Sequence, residues 1–122
     1  MQSKKFNLGP ILLTTTTTVN YLNPGTSTGG VNSDTSAQHI VLNHITVSNR
    51  TASVATVSFW KDATGGNTTG KEFLWTGTQV PANGYVERYG IWRFTTADFL
   101  VGGSNTASAL VLTAEGEIGI AG

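Results

Sequence analysis

The chain reads as an all-β domain, and three observations point there. Twenty of its 122 residues are threonine, and threonine, valine and the aromatics suit a pleated, half-buried surface. Apolar residues alternate with polar ones in short runs, while no stretch of useful length carries a helical period. Fifteen glycines, together with asparagine, serine and proline, punctuate those runs at short intervals.

Taken in order, Pro10 to Leu22 is extended and β-branched, with Ile11, Leu13, Thr15, Thr17, Val19 and Tyr21 on one face by period two. NPGTSTGGVNSDTS, 23–36, has the composition of a long exposed loop and divides an N-terminal arm, 1–36, from a body, 37–122. QHIVLNHITVSN, 38–49, places Val41, Ile45 and Val47 on one face and Ile40 and Leu42 on the other. After a turn at 50–53, Val54 to Lys61 returns, and the two strands read as a hairpin. KEFLWT, 71–76, is the next strand, with Phe73 and Trp75 on one side. Pro81 and Asn83-Gly84 make a turn before a strand from Tyr85 to Tyr89 and the apolar piece Ile91 to Phe94. Thr95 to Leu100 suits a single helical turn capped by Thr95 or Thr96, and 102–105 suits a loop. Ser108 to Ala114 and Glu117 to Ala121 are the last strands. Seven or eight strands suffice for two packed antiparallel sheets, a β-sandwich in the jelly-roll style with an extended N-terminal arm. Its core is expected to draw on Phe59, Trp60 and Trp75.

Length fits one domain able to bury a core without staples. There is no cysteine, hence neither a disulfide framework nor a thiolate metal site. Seven basic residues balance seven acidic ones, and only 11% of the chain is charged. Electrostatic attraction to nucleic acid or an anionic membrane is therefore not expected. A neutral, hydroxyl-rich surface is poorly guarded against self-association, which favours life in an assembly. The N-terminal apolar piece, Ile11 to Leu13, is too short for a secretion signal, and no run approaches a membrane span.

GGNTTGKE, 65–72, resembles a phosphate-cradling loop. That device needs a hydroxyl after its lysine and a helix behind it. Here Glu72 stands at the hydroxyl position and FLWT continues as a strand, so the stretch is read as a connecting loop. The same loop has one carboxylate and the wrong spacing for calcium.

His39 and His44, five apart on one strand, are expected on opposite faces and so unable to share a metal. No nucleophile elbow occurs. Glu115 and Glu117 share a strand face but are read as solvated edge charges, paired with Arg88 or Arg93. Asn49-Arg50-Thr51 and Asn67-Thr68-Thr69 match the glycosylation pattern by chance in so Asn- and Thr-rich a chain. No catalytic residue, cofactor or metal is expected. The stretch YVERYGIWRF gathers Tyr85, Tyr89, Trp92 and Arg93, residue types enriched at binding hot spots.

ITVSNRTASVATVSFWKDATGG (45–66), TQVPANGYVERYG (78–90) and ALVLTAEGEIGIAG (109–122) together resemble the small β-sandwich virion proteins of tailed bacteriophages, over about 38–122. The resemblance implies a non-enzymatic capsid decoration or cement protein in the virion, assembled in the host cytoplasm. Its partners would be the major capsid protein and further copies of itself, as a homotrimer or homodimer. A tail, neck or fibre component and a surface carbohydrate-binding module are the alternatives, the latter using Tyr85, Tyr89 or Trp92 on a glycan. In this picture the arm is the assembly device, its Thr14, Thr15, Thr16, Thr17 and Thr18 offering unpaired backbone to a neighbouring sheet.

Overall fold

Alternating apolar residues need a second apolar surface to face, and the chain supplies it with two sheets. The computed structural model describes residues 2–15, 19–22, 37–63, 67–95 and 98–120. These hold strands β1 (Gln2–Leu12), β2 (Val19–Leu22), β3 (Ala37–Asn49), β4 (Ala55–Lys61), β5 (Thr78–Val80), β6 (Tyr85–Thr95), β7 (Leu100–Ser104) and β8 (Leu110–Ile120). Among the described residues there is no helix. One sheet has the order β1-β8-β3-β6 and the other β2-β7-β4-β5, every pairing being antiparallel.

One buried cluster draws on both sheets: Ile40, Leu42, Ile45 and Val47 from β3, Phe94 from β6 and Leu110, Leu112, Ala114 and Ile118 from β8. Opposite them stand Ala55, Val57 and Phe59 from β4, Val80 from β5 and Leu100 from β7. Phe59 is fully enclosed, with Tyr21 edge-on at 6.4 Å and Trp75 tilted at 6.2 Å. Burying such a ring is worth at most about 4 to 6 kcal/mol. Trp60 is only half-buried, so the expected trio of core aromatics is Phe59 and Trp75 alone.

β3 does not keep the strict alternation expected of it. Between Leu42 and His44 its register shifts against both neighbours, and Asn43 is the extra residue relative to β8. The bulge exchanges the faces, so Ile40, Leu42, Ile45 and Val47 all reach the core. His39 and His44 consequently point outward together, contrary to the simple parity expectation. Gly116 faces this bulge, where a Cβ would run into the Val41 carbonyl oxygen and the Asn43 side chain.

β3 and β4 are not a hairpin. They lie in different sheets, and the chain crosses between them at a corner held by Asn49, a residue 4% exposed. Its Nδ2 donates to the carbonyls of Ser53 (2.8 Å) and Val80 (3.1 Å), while Oδ1 accepts from the Thr51 amide (2.9 Å) and hydroxyl (2.7 Å). A tight turn would have paired the strands; this side chain instead gives the corner backbone other partners.

The N-terminal segment also differs. Residues 2–12 form an edge strand on β8, Leu13 is buried, and Val19–Leu22 pairs with β7. The Thr14 carbonyl accepts from the Ser104 amide at 2.9 Å, so it is not unpaired as expected; Thr16, Thr17, Thr18 and the loop 23–36 lie outside the described residues. KEFLWT forms only an isolated bridge, Trp60 to Glu72, because Leu74 takes a left-handed φ of 61° that no regular strand contains. Of the helical turn expected over Thr95 to Leu100, residues 96 and 97 lie outside the described residues; the Asp98 amide donates to the Thr95 carbonyl at 3.0 Å, and Asp98 Oδ2 accepts from the Thr95 amide at 2.8 Å and hydroxyl at 3.0 Å. Gly102 and Gly103 belong to buried β7 instead of a loop. Gly102 is required there because a Cβ would strike the Ser58 carbonyl and the Phe59 ring. Finally, β6 runs unbroken through Gly90, and β8 is one strand where two were expected.

Candidate functional site

β6 is an edge strand of eleven residues whose side chains alternate, save that Arg88 is exposed although it shares the inward parity. Val86, Trp92 and Phe94 turn inward, Trp92 and Phe94 against Phe73 at 6.1 and 5.6 Å. Tyr85, Glu87, Tyr89, Ile91 and Arg93 turn outward, all exposed, with Tyr85 at 59%, Tyr89 at 69% and Ile91 at 82%. Five large hydrophobic residues are exposed among those described, and three of them stand on this stripe. An 82% exposed isoleucine beside an exposed tyrosine, with Glu87 and Arg93 on either side of the pair, is surface of the kind that marks an interaction site.

Of the residues singled out in the sequence, Tyr85, Tyr89 and Arg93 share this face. Trp92 does not: it lies over Gly90 on the core side, where a Cβ on residue 90 would sit 2.7 Å from its ring. Thr14 and Thr15 are exposed beyond the end of β1, in a different part of the fold.

Beside the stripe, the outward face of β3 and β8 adds a polar cluster that sequence reasoning did not assemble. The His44 ring stacks on Tyr89 with 4.1 Å between centroids and 4° between planes. His44 Nε2 lies 2.8 Å from Glu87 and Nδ1 lies 3.4 Å from Glu115. Thr46 Oγ1 is 3.1 Å from Nε2. Asn7, His44, Thr46, Thr113 and Glu115 contribute to an adjoining depression of about 290 Å³. The two carboxylates address opposite nitrogens of one ring, so these three groups do not converge on a common point. Among the described residues no three His, Cys, Asp or Glu side chains are placed to hold a metal ion.

Glu115 and Glu117 sit on a central strand, not an edge, and the Glu115 carboxylate lies beside the His44 ring instead of Arg88 or Arg93. Pairing in the middle of a sheet brings residues far apart in sequence face to face, which spacing along one strand cannot show.

A second charged group lies at the start of β7. Asp62, held at a left-handed φ of 64°, accepts from the Phe99 amide at 2.8 Å and returns its own amide to the Phe99 carbonyl at 2.8 Å. Burial, with the neighbouring Asp98 carboxyl, raises the Asp62 pKa above the ordinary carboxyl value despite the Phe99 hydrogen bond. Asp98 is partly desolvated too, but hydrogen bonds from Thr95 and Asp62 and the Lys61 charge bring its pKa below that value. Lys61 Nζ is 3.9 Å from Asp98 and donates to the Arg93 carbonyl at 3.1 Å.

In the loop that resembles a phosphate cradle, 64–66 lie outside the described residues. The Gly70 amide donates to the Glu72 carboxylate at 3.0 and 3.2 Å, so the chain's own anion occupies the donor a phosphate would need. Asn49, the first asparagine of a glycosylation pattern, is buried and fully engaged at its corner. No helix among the described residues is long and apolar enough to cross a membrane. Comparison with protein-family models, curated protein sequences and solved structures finds no match to this chain.

Proposed function

We propose that this protein is a non-enzymatic structural subunit of a bacteriophage virion, a capsid decoration or cement protein that acts through the outward face of the β1-β8-β3-β6 sheet. The observation that carries a surface role is the exposure of Tyr85, Tyr89 and Ile91 together on the outward face of β6. Covering those side chains with a neighbouring shell subunit supplies the free energy of attachment, at roughly 25 cal/mol for each Å² of apolar surface removed from water. The assignment to a phage head rests on the resemblance of 45–66, 78–90 and 109–122.

In this reading the two sheets pack as a jelly roll. The orders β1-β8-β3-β6 and β2-β7-β4-β5 support it, since two interleaved Greek keys generate such an alternation of strands between sheets. The N-terminal segment enters as edge strands β1 and β2, in place of a free arm. Locating the protein on purified particles by electron cryo-microscopy tests the assignment; density at the tail or neck, or none at all, would replace it. The stacked Tyr89 and His44 rings beside Glu87 and Glu115 favour one second reading, a platform for a sugar ring. A glycan array that lights up with the wild-type chain and goes dark with Tyr89→Ala supports that reading, and a blank array removes it.

A further inference from the structure

Among the described residues two sheets of four strands leave four edges, and three of them are very short or carry a proline. β2 and β5 are only four and three residues long. β1 has an exposed Lys5, a register shift between Leu8 and Ile11, and Pro10, which has no amide to donate. Short strands, lysines, prolines and bulges are the ordinary protections of an edge. β6 has an extra residue against β3 between Tyr89 and Trp92 and an exposed Arg88 at inward parity, but it is eleven residues long, has no proline, and bears exposed Tyr85, Tyr89 and Ile91.

Its sequence is also complementary to itself. In an antiparallel pair, residues directly opposite share a face of the sheet. A two-fold axis through Gly90, normal to the sheet, sets Glu87 opposite Arg93, Tyr89 opposite Ile91, and the symmetric pairs again on the other side. On the inner face the same register sets Arg88 opposite Trp92 and Val86 opposite Phe94. Centring on Glu87 or Arg88 would oppose like charges, and centring on Tyr89 or Ile91 would leave Glu87 facing Ile91 or Thr95. Gly90 is the one centre that pairs Glu87 with Arg93. Between Tyr89 and Trp92, β6 spends three residue steps against two of β3, and Gly90, the centre of this register, brings no side chain of its own to the pair.

We infer that the protein is a two-fold dimer in which β6 of each copy pairs antiparallel with the other about Gly90, joining two four-stranded sheets into one of eight. The two stripes then merge, Tyr89 and Ile91 of each chain packing on Ile91 and Tyr89 of the other. This deepens the proposed function, resting on the same stripe as the contact surface and naming its first partner as a second copy.

Sedimentation velocity on the full chain tests the register by charge exchange. The wild-type chain should be dimeric. Glu87→Arg alone and Arg93→Glu alone each set two like-charged pairs opposite one another, and should weaken the dimer roughly tenfold to a hundredfold. An equimolar mixture of these two variants restores opposite charges at both positions, as does the double variant within one chain, and both should dimerise. Circular dichroism checks that each chain stays folded. Should a single exchange unfold the chain, Tyr89→Cys with Ile91→Cys decides: the chain has no cysteine of its own, and mild oxidation should give a covalent dimer. A monomeric or trimeric wild-type chain, single variants that dimerise undiminished, a folded mixture that stays monomeric, or a cysteine variant that does not cross-link each overturn the inference. A monomer that still coats particles removes the dimer alone, whereas a dimer that binds no particle removes the particle reading alone.

Discussion

Asn49→Ala is expected to destabilise the fold by about 2 to 4 kcal/mol, although it removes only three heavy atoms from one corner. The wild-type side chain makes two donations and two acceptances, and an intramolecular hydrogen bond is worth about 1 kcal/mol net. The loss is unequal among them. Ser53 is exposed and Thr51 half-exposed, so water replaces most of what they lose. Val80 is fully buried, and leaving its carbonyl without a partner adds a penalty of about 1 to 3 kcal/mol. Against a total stability of roughly 5 to 15 kcal/mol this is a large fraction, lowering the thermal midpoint by roughly 8 to 16 °C for a chain of this length. Urea unfolding followed by tryptophan fluorescence reports it, since Trp75 is buried in the native state. The slope should be unchanged, because only the native corner is altered. Asn49→Asp sharpens the test. It keeps the acceptor for Thr51 but aims an anion at two carbonyls, so burial and those carbonyls raise its folded pKa. Its folded form is favoured when protonated and loses stability as pH rises through that value. A loss under about 0.5 kcal/mol for Asn49→Ala, or an Asn49→Asp variant no worse at pH 7 than in mild acid, would refute the idea that this side chain holds the crossover.

Other outcomes follow from the same structure. Gly116→Ala should cost about 1 to 3 kcal/mol in urea unfolding, because the new Cβ meets the Val41 carbonyl with the backbone of two strands fixed around it. Asp62→Asn should raise the thermal midpoint at pH 7, by roughly a few tenths of a kcal/mol in stability, since asparagine keeps the acceptor for Phe99 and ends repulsion with Asp98. Because the folded pKa of Asp62 is raised, wild type regains that stability as pH falls through it, and the two melting curves should converge in acid. Deleting residues 1–22 should unfold the protein by circular dichroism, for it removes an edge strand from each sheet together with Leu13, Tyr21 and Leu22 from the core. Ile91→Ser should leave the circular dichroism spectrum of the chain unchanged, as a side chain exposed within the chain, while weakening the dimer and reducing particle attachment measured by co-sedimentation.

Several elements were legible residue by residue. Alternation from Val54 to Lys61 and from Gln38 to Asn49 located β4, which begins at Ala55, and most of β3, and the turn at Pro81 to Gly84 closes with a Gly84 amide to Pro81 carbonyl bond of 3.0 Å. Tyr85, Tyr89 and Arg93 reached one exposed face because period two alone puts them there. Trp92 was misplaced and Ile91 overlooked for one reason. Gly90 was read as a break, whereas counting on through it would have put Ile91 outside and Trp92 inside.

What the amino-acid sequence determines by itself is short-range: extended conformation where β-branched residues alternate, reversal where proline and Asn-Gly occur, and a nearly neutral surface. Which strands become neighbours was decided only in three dimensions. The bulge at Asn43 changes which β3 residues face the core, Asn49 diverts the chain to the second sheet, and β8 slots between β1 and β3 to bring Glu115 to His44. Each depends on hydrogen bonds and packing between residues tens of positions apart, and no period along a single strand encodes those.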